Sequence, residues 1–251
     1  MLIAFLRRHR PSLTAAVLVL LLGMAAQSSA ATPSRAGSYG IATVDAGGAD
    51  LYAGPSGRYL TDRYAGPSGS RFLTELRAHD GRGAPTTFSV LRARGDWLQV
   101  LTGSEQSGGP AGLDSRPAWV ERSQVSLTRT SFAIALSLSA HRLVLRHHGR
   151  AVRSWIVGVG APSSPTPIGR FELVEELNGA SFGPAFGAVV LGLSVMQRHG
   201  SMAGGQIAIH GTNQPTSIGA SVSNGCVHGK RQMVEYLRHH LPLGTPVFIR
   251  A

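Results

Sequence analysis

The stretch Ile209-His210-Gly211-Thr212-Asn213-Gln214-Pro215-Thr216-Ser217-Ile218-Gly219-Ala220-Ser221-Val222-Ser223-Asn224-Gly225-Cys226-Val227-His228 decides how this chain is read. Cys226 is the one cysteine in 251 residues. A thiol becomes a nucleophile at neutral pH only when a base or a stabilising field takes its proton. His210 ends an apolar run, Gln206–Ile209, and meets a glycine, so its imidazole projects at a strand end. It stands sixteen residues before the cysteine, enough chain to fold back and set imidazole beside thiol. Gly225 allows close approach of backbone and substrate. A helix expected a few residues after Cys226 would offer its free N–H groups and positive end to a thiolate or an oxyanion. A Cys–His pair oriented by a third group is the minimum for covalent acyl transfer.

Outward from this stretch, Met233, Val234 and Leu237 fall at helical spacing, which predicts a helix over Lys230–His240. Leu241-Pro242 ends it, and Val247–Arg250 reads as a last strand. Upstream, strands are expected over Ser131–Leu138, Arg142–Arg146, Val152–Val159, Phe171–Val174 and Ala188–Leu193, with a loop over Gly160–Gly169 that carries three prolines. The half from 128 to 251 is thus mostly β with one helix after the cysteine. The half before it shows two copies of Tyr-Ala-Gly-Pro-Ser-Gly, at Tyr52–Gly57 and Tyr64–Gly69, which is turn chemistry. Short runs at Thr86–Leu91, Trp97–Leu101, Ala118–Val120 and Gln124–Leu127, separated by Gly, Asp and Ser, predict a small barrel or sandwich.

Composition narrows the class. With 43% apolar and 15% charged residues the chain is not a disordered polyelectrolyte, and 32 Gly with 14 Pro argue against a helical bundle. The net charge of +11 comes almost wholly from arginines, Lys230 being the one lysine. These arginines are scattered and lack a basic-aromatic stripe, so no nucleic-acid partner is expected. Arg7, Arg8 and Arg10 precede an apolar run, Leu13–Ala26, and Ser28 and Ala30 fit a cleavage site. Residues 1–30 therefore read as a Sec-type signal peptide that sends the protein to the periplasm or cell wall, or anchors it there if uncleaved. Residues 31–40 read as a linker. A lone thiol in an exported chain points to a reactive role. Ten histidines are present, but no Cys-x-x-Cys or His-Glu-x-x-His spacing supports a zinc site, and neither a metal nor a cofactor is expected.

His210-Gly211 followed by Ser223-Asn224-Gly225-Cys226-Val227 resembles the signature of YkuD-type L,D-transpeptidases. Pro165-Thr166-Pro167-Ile168-Gly169, Gly183-Pro184 and Leu191-Gly192-Leu193 resemble further segments of that family, and the likeness spans about 130–251. Residues 41–127, through Gly-Asp-Trp-Leu-Gln-Val-Leu and Ala-Trp-Val-Glu-Arg-Ser-Gln-Val, resemble bacterial SH3-like domains. The fold so implied is an N-terminal SH3-like barrel followed by a β-sandwich catalytic domain over 128–251.

The resemblance implies a chemistry. Cys226 attacks the carbonyl that precedes D-Ala in a peptidoglycan tetrapeptide stem, D-Ala leaves, and the amine of a second stem resolves the thioester into a 3→3 cross-link. His210 serves as base and acid, oriented by the carbonyl of Gly211. Backbone N–H groups of Gly225 and Cys226 hold the oxyanion, and Ser223, Asn224, Gly225 and His228 contact substrate. Donor and acceptor stems are the partners, and carbapenem-type β-lactams are covalent inhibitors. The family usually has Arg where this chain has His228, a departure for which Lys230 or Arg231 could compensate. The alternatives are a weakly catalytic wall-binding protein and an L,D-carboxypeptidase on the same fold.

Overall fold

Short alternating runs punctuated by turn residues produce sheets, and the computed structural model consists mainly of β-strands. It describes residues 37–54, 72–103, 116–200 and 205–251. The expected signal peptide, most of the linker and most of the two Tyr-Ala-Gly-Pro-Ser-Gly copies lie outside the described residues.

Seven strands make up the first sheet: β1 (Tyr39–Val44), β2 (Ala49–Tyr52), β3 (Phe72–Leu76), β4 (Thr87–Arg94), β5 (Trp97–Leu101), β6 (Pro117–Glu121) and β7 (Val125–Thr130). They pair antiparallel in the order β3-β2-β6-β5-β4-β1-β7. Leu51, Phe88, Leu98, Val100 and Val120 form its core. The last strand runs through 127–128, where the sequence suggested a boundary, because its partner β1 keeps pairing as far as Tyr39↔Thr130.

The second half contains β8 (Phe132–Ser137), β9 (Arg142–His147), β10 (Arg150–Ile156), β11 (Val159–Gly160), β12 (Gly169–Asn178), β13 (Val189–Met196), β14 (Gln206–Gly211), β15 (Ser221–Ser223), β16 (Val227–Gly229), α1 (Arg231–His240) and β17 (Pro246–Arg250). Eight of these strands follow the order β10-β9-β8-β17-β12-β13-β14-β16, and β11 pairs with β15. β12 is the corner. Its first residues, Gly169–Glu172, pair with β17, and from Leu173 onward it pairs with β13. One long strand thereby joins two leaves around a shared core that includes Ile134, Leu143, Leu173, Leu193, Ile209 and Leu237. A strand that passes from one leaf to the other is a familiar way to make such a corner.

α1 buries Met233, Val234 and Leu237 and contacts β13 and β14. Each such side chain contributes about 1.5–3 kcal/mol when removed from water. The helix sits close on β16, since a Cβ at Gly229 would come within 2.0 Å of Met233 Cε.

Polar contacts join the two halves, and the residues from Ala31 to Ala251 cluster as one unit. Glu172 and Glu175 on β12 are both fully buried. The Ser89 N–H donates to Glu172 Oε2, and Arg170 Nη2 donates to Ser89 Oγ at 3.0 Å. Arg82 Nη1 donates to both oxygens of Glu175, at 2.8 and 2.7 Å. Burial nevertheless pushes the Glu175 carboxyl up to about 6, against the pull of Arg82.

Candidate active site

β14 and β16 run parallel, with Ile209 opposite Val227, His210 opposite His228 and Gly211 opposite Gly229. Continuing that pairing back by one residue sets Cys226 opposite Ala208. Side chains alternate along a strand, and directly opposed residues share a face. His210, Cys226 and His228 therefore project to the same side, His210 and Cys226 as a diagonal pair across the two strands. All three line one cavity of about 310 Å³, together with Phe186, Gln197 and Asn224.

His210 is buried at 3% exposure. Its Nδ1–H donates to the Gly211 carbonyl oxygen at 2.6 Å, which leaves Nε2 with the lone pair. Phe186 lies against the imidazole, with ring centroids 4.6 Å apart, and His228 faces it at 4.9 Å. Burial lowers the His210 pKa to about 4; the Gly211 bond pulls it up and the neighbouring His228 pushes it further down. Burial also raises the Cys226 thiol, partly offset by a hydrogen bond from the Ala208 backbone. Burial thus disfavours the charged form of each group, the imidazolium at His210 and the thiolate at Cys226.

The cysteine loop is tied by side chains from elsewhere. Ser223 Oγ donates to the Cys226 carbonyl at 2.6 Å and accepts from the Gly225 N–H at 3.1 Å. Thr166 Oγ1 donates to the Gly225 carbonyl at 2.8 Å and accepts from the Gly160 N–H at 2.8 Å. Gln197 Nε2 donates to the carbonyls of Asn224 (2.9 Å) and Pro165 (3.2 Å) and to Ser164 Oγ (3.2 Å). Gly225 has φ +113°, and a Cβ there would lie 2.1 Å from Gln197 Nε2 and 2.7 Å from Ile207 Cδ1. Only glycine fits that position.

Three expectations change. β16 separates Cys226 from α1, whose N-cap is Lys230, so the free N–H groups of the helix start beyond the cysteine and not at it. The Gly225 N–H is already engaged by Ser223, so it is not a free oxyanion donor. Lys230 and Arg231 do not line the cavity, so neither replaces the family arginine there. Of the residues singled out in the sequence, Ser223, Asn224, Cys226, His210 and His228 line the cavity, while Gly211 and Gly225 shape the backbone around it. Gln197 and Thr166 escaped sequence reasoning, although Thr166 lies in the proline-rich loop that resembles the family.

Residues 131–249 match the family model of the YkuD L,D-transpeptidase catalytic domain. The putative L,D-transpeptidase YkuD of Bacillus subtilis is 36% identical over 118 residues, which is 47% of this chain and 65% of that protein. The putative L,D-transpeptidase YqjB of the same organism is 31% identical over 103 residues, 37% of this chain and 56% of that protein. The chain therefore spans less than two thirds of the curated relatives it matches. Among solved structures, L,D-transpeptidase 3 from Mycobacterium tuberculosis in complex with a faropenem-derived adduct has 18% identity, covers 55% of this chain and 75% of its own, and gives a TM-score of 0.40. By this sequence match, the second half of the chain is similar to the catalytic domain of YkuD-type L,D-transpeptidases.

Proposed function

We propose that this chain is a cysteine-dependent acyltransferase that forms 3→3 cross-links between peptidoglycan stem peptides. The observation that carries the reading is the shared face of β14 and β16, from which His210 and Cys226 open into one cavity. As a tetrapeptide stem binds, His210 Nε2 takes the thiol proton while Cys226 Sγ attacks the carbonyl before D-Ala. The C–N bond breaks, the same proton passes to the departing nitrogen, and a thioester remains. The amine of a second stem then forms the new C–N bond and displaces the thiol. General-base help of this kind contributes about 10²–10⁴-fold. It suits a neutral imidazole, which is the form that burial favours at His210.

The same reading makes carbapenems covalent inhibitors, assigns 1–30 to export, and makes the first sheet an SH3-like accessory module at the wall. Intact-mass measurement of the full chain with meropenem tests the nucleophile: wild type gains one adduct and Cys226→Ala gains none. Tetrapeptide-stem muropeptides test the reaction, with D-Ala release and a cross-linked dimer as the expected products. An adduct on the Cys226→Ala chain, or no D-Ala released by the wild type, overturns the proposal.

A further inference from the structure

His228 stands directly opposite His210 across the strand pair, yet the acylation step gives it nothing to do. It is firmly built in. Its backbone N–H donates to the Gly158 carbonyl at 3.0 Å, and its carbonyl accepts from the Gly158 N–H at 2.8 Å. Its Nδ1 lies 3.1 Å from Ser217 Oγ. That hydroxyl sends its own proton to the Gln214 carbonyl at 2.7 Å, so towards His228 it acts as acceptor. The imidazole therefore carries its proton on Nδ1, and Nε2 presents a lone pair. Nε2 has no hydrogen-bond partner among the described residues, and the ring lines the cavity. A buried serine is thus spent on fixing one tautomer of a second histidine, 4.9 Å from the first.

A proton count gives this arrangement a use. In acylation one proton leaves the thiol and one reaches the departing nitrogen, so a single base suffices. An alkylamine acceptor, with a pKa near that of lysine at about 10.4, arrives as ammonium. It must lose one proton to become a nucleophile and a second after its nitrogen attacks. The second proton returns through His210 to the sulfur. The first needs another acceptor. Among the described residues that line the cavity, the titratable side chains are His210, Cys226 and His228, with no carboxylate. Water, in contrast, arrives neutral and gives up only one proton.

We infer that His228 is a second base that deprotonates the incoming ammonium and so favours amine over water as acyl acceptor. The inference rests on the transpeptidase reading above and says which acceptor that site serves. The step balances: the ammonium proton moves to Nε2, the freed amine forms the amide bond as the C–S bond breaks, and His228 returns the proton to solvent. His228 then touches the acceptor and is a catalytic residue, and Ser217 is a positioning residue that holds its tautomer.

The test uses the full chain at pH 7, a tetrapeptide-stem muropeptide as donor, and two added acceptors: n-butylamine, which is an ammonium at that pH, and hydroxylamine, which is neutral. The ratio of aminolysis to hydrolysis products is set after acylation, so a slower acylation does not disturb it. His228→Gln is expected to lower that ratio for butylamine by about 10²-fold, and to leave it within roughly threefold for hydroxylamine. Ser217→Ala, which frees the ring to change tautomer, is expected to shift the ratios the same way by a smaller factor. If the variants lower both ratios equally, or neither, while the wild type still releases D-Ala, the inference fails and the transpeptidase reading stands. If the wild type forms no acyl-enzyme, both fall.

Discussion

Gln197→Leu probes what holds the nucleophile in place. Five hydrogen bonds converge on this buried side chain: three from Nε2, and two accepted by Oε1 from the N–H groups of Arg198 and His199. Leucine fills a similar volume and makes none of them. Arg198 and His199 are exposed, so water replaces their lost acceptor at little cost. The three bonds from Nε2 tie the Ser164–Pro165 turn to Asn224, two residues before Cys226. Nε2 carries two hydrogens shared among these three acceptors, so at roughly 0.5–1.5 kcal/mol for each of two bonds the loss is about 1–3 kcal/mol, with about 2 kcal/mol as the central expectation. For a chain of this size that lowers Tm by about 4–8 °C, measurable by calorimetry. Acylation by meropenem, followed by stopped-flow absorbance, should fall by about 10²-fold, the usual effect of a displacement near 1 Å in a reacting group. A variant that melts within about 2 °C of wild type and acylates at the wild-type rate would show that the cysteine loop keeps its shape without Gln197.

Other outcomes are expected at the histidine and the buried acids. His210→Ala should slow acylation by about 10²–10⁴-fold while near-ultraviolet dichroism stays native; an unchanged rate removes His210 as the base. The His210 pKa falls from 6.5 unfolded to about 4 folded, so the unfolded chain binds more protons between those values. Its contribution, on the order of 3 kcal/mol, is complete above about pH 6.5 and is lost as pH falls towards 4. Urea midpoints of wild type and His210→Ala across that window should converge at the acid end. Glu175 acts with the opposite sign: its folded pKa of about 6 lies above the unfolded 4.5, so its contribution is lost as pH rises through that interval. Glu175→Gln should therefore make stability climb more steeply with pH than in wild type; a parallel profile refutes the assignment. Gly225→Ala should lower both Tm and acylation, since its Cβ meets Gln197 and the backbone holds φ +113°.

Much of this was legible from residue order. The run Ile207, Ile209, His210, Gly211 announces a strand that ends on a projecting histidine, and Met233, Val234 and Leu237 announce α1. Both signals are local and periodic. β16 is three residues long, too short to show a period, so the strand between the cysteine and the helix went unseen although the helix start near Lys230 was legible. β1, β2 and β3 were missed for a related reason, since their residues are ordered by distant partners such as Val125 and Val120. Gln197 was invisible because it bonds to carbonyls, which every residue type carries. The pairing of His228 with His210 depends on strand alignment across a connection that no short motif encodes.

The parallel contact of β14 and β16 also says where this chain tolerates a change in length. The connection from Thr212 to Ala220 carries no long element, but its Gln214–Ser217 turn must keep its place against His228, so an added or deleted residue is best absorbed at Thr212 or Asn213, ahead of that turn. One residue inserted between Cys226 and Val227 is another matter. It would turn the sulfur to the far side of the sheet while every other side chain kept its place. Homologous chains should accordingly vary in span between their histidine and their serine, and hold the few positions after the cysteine to a fixed count.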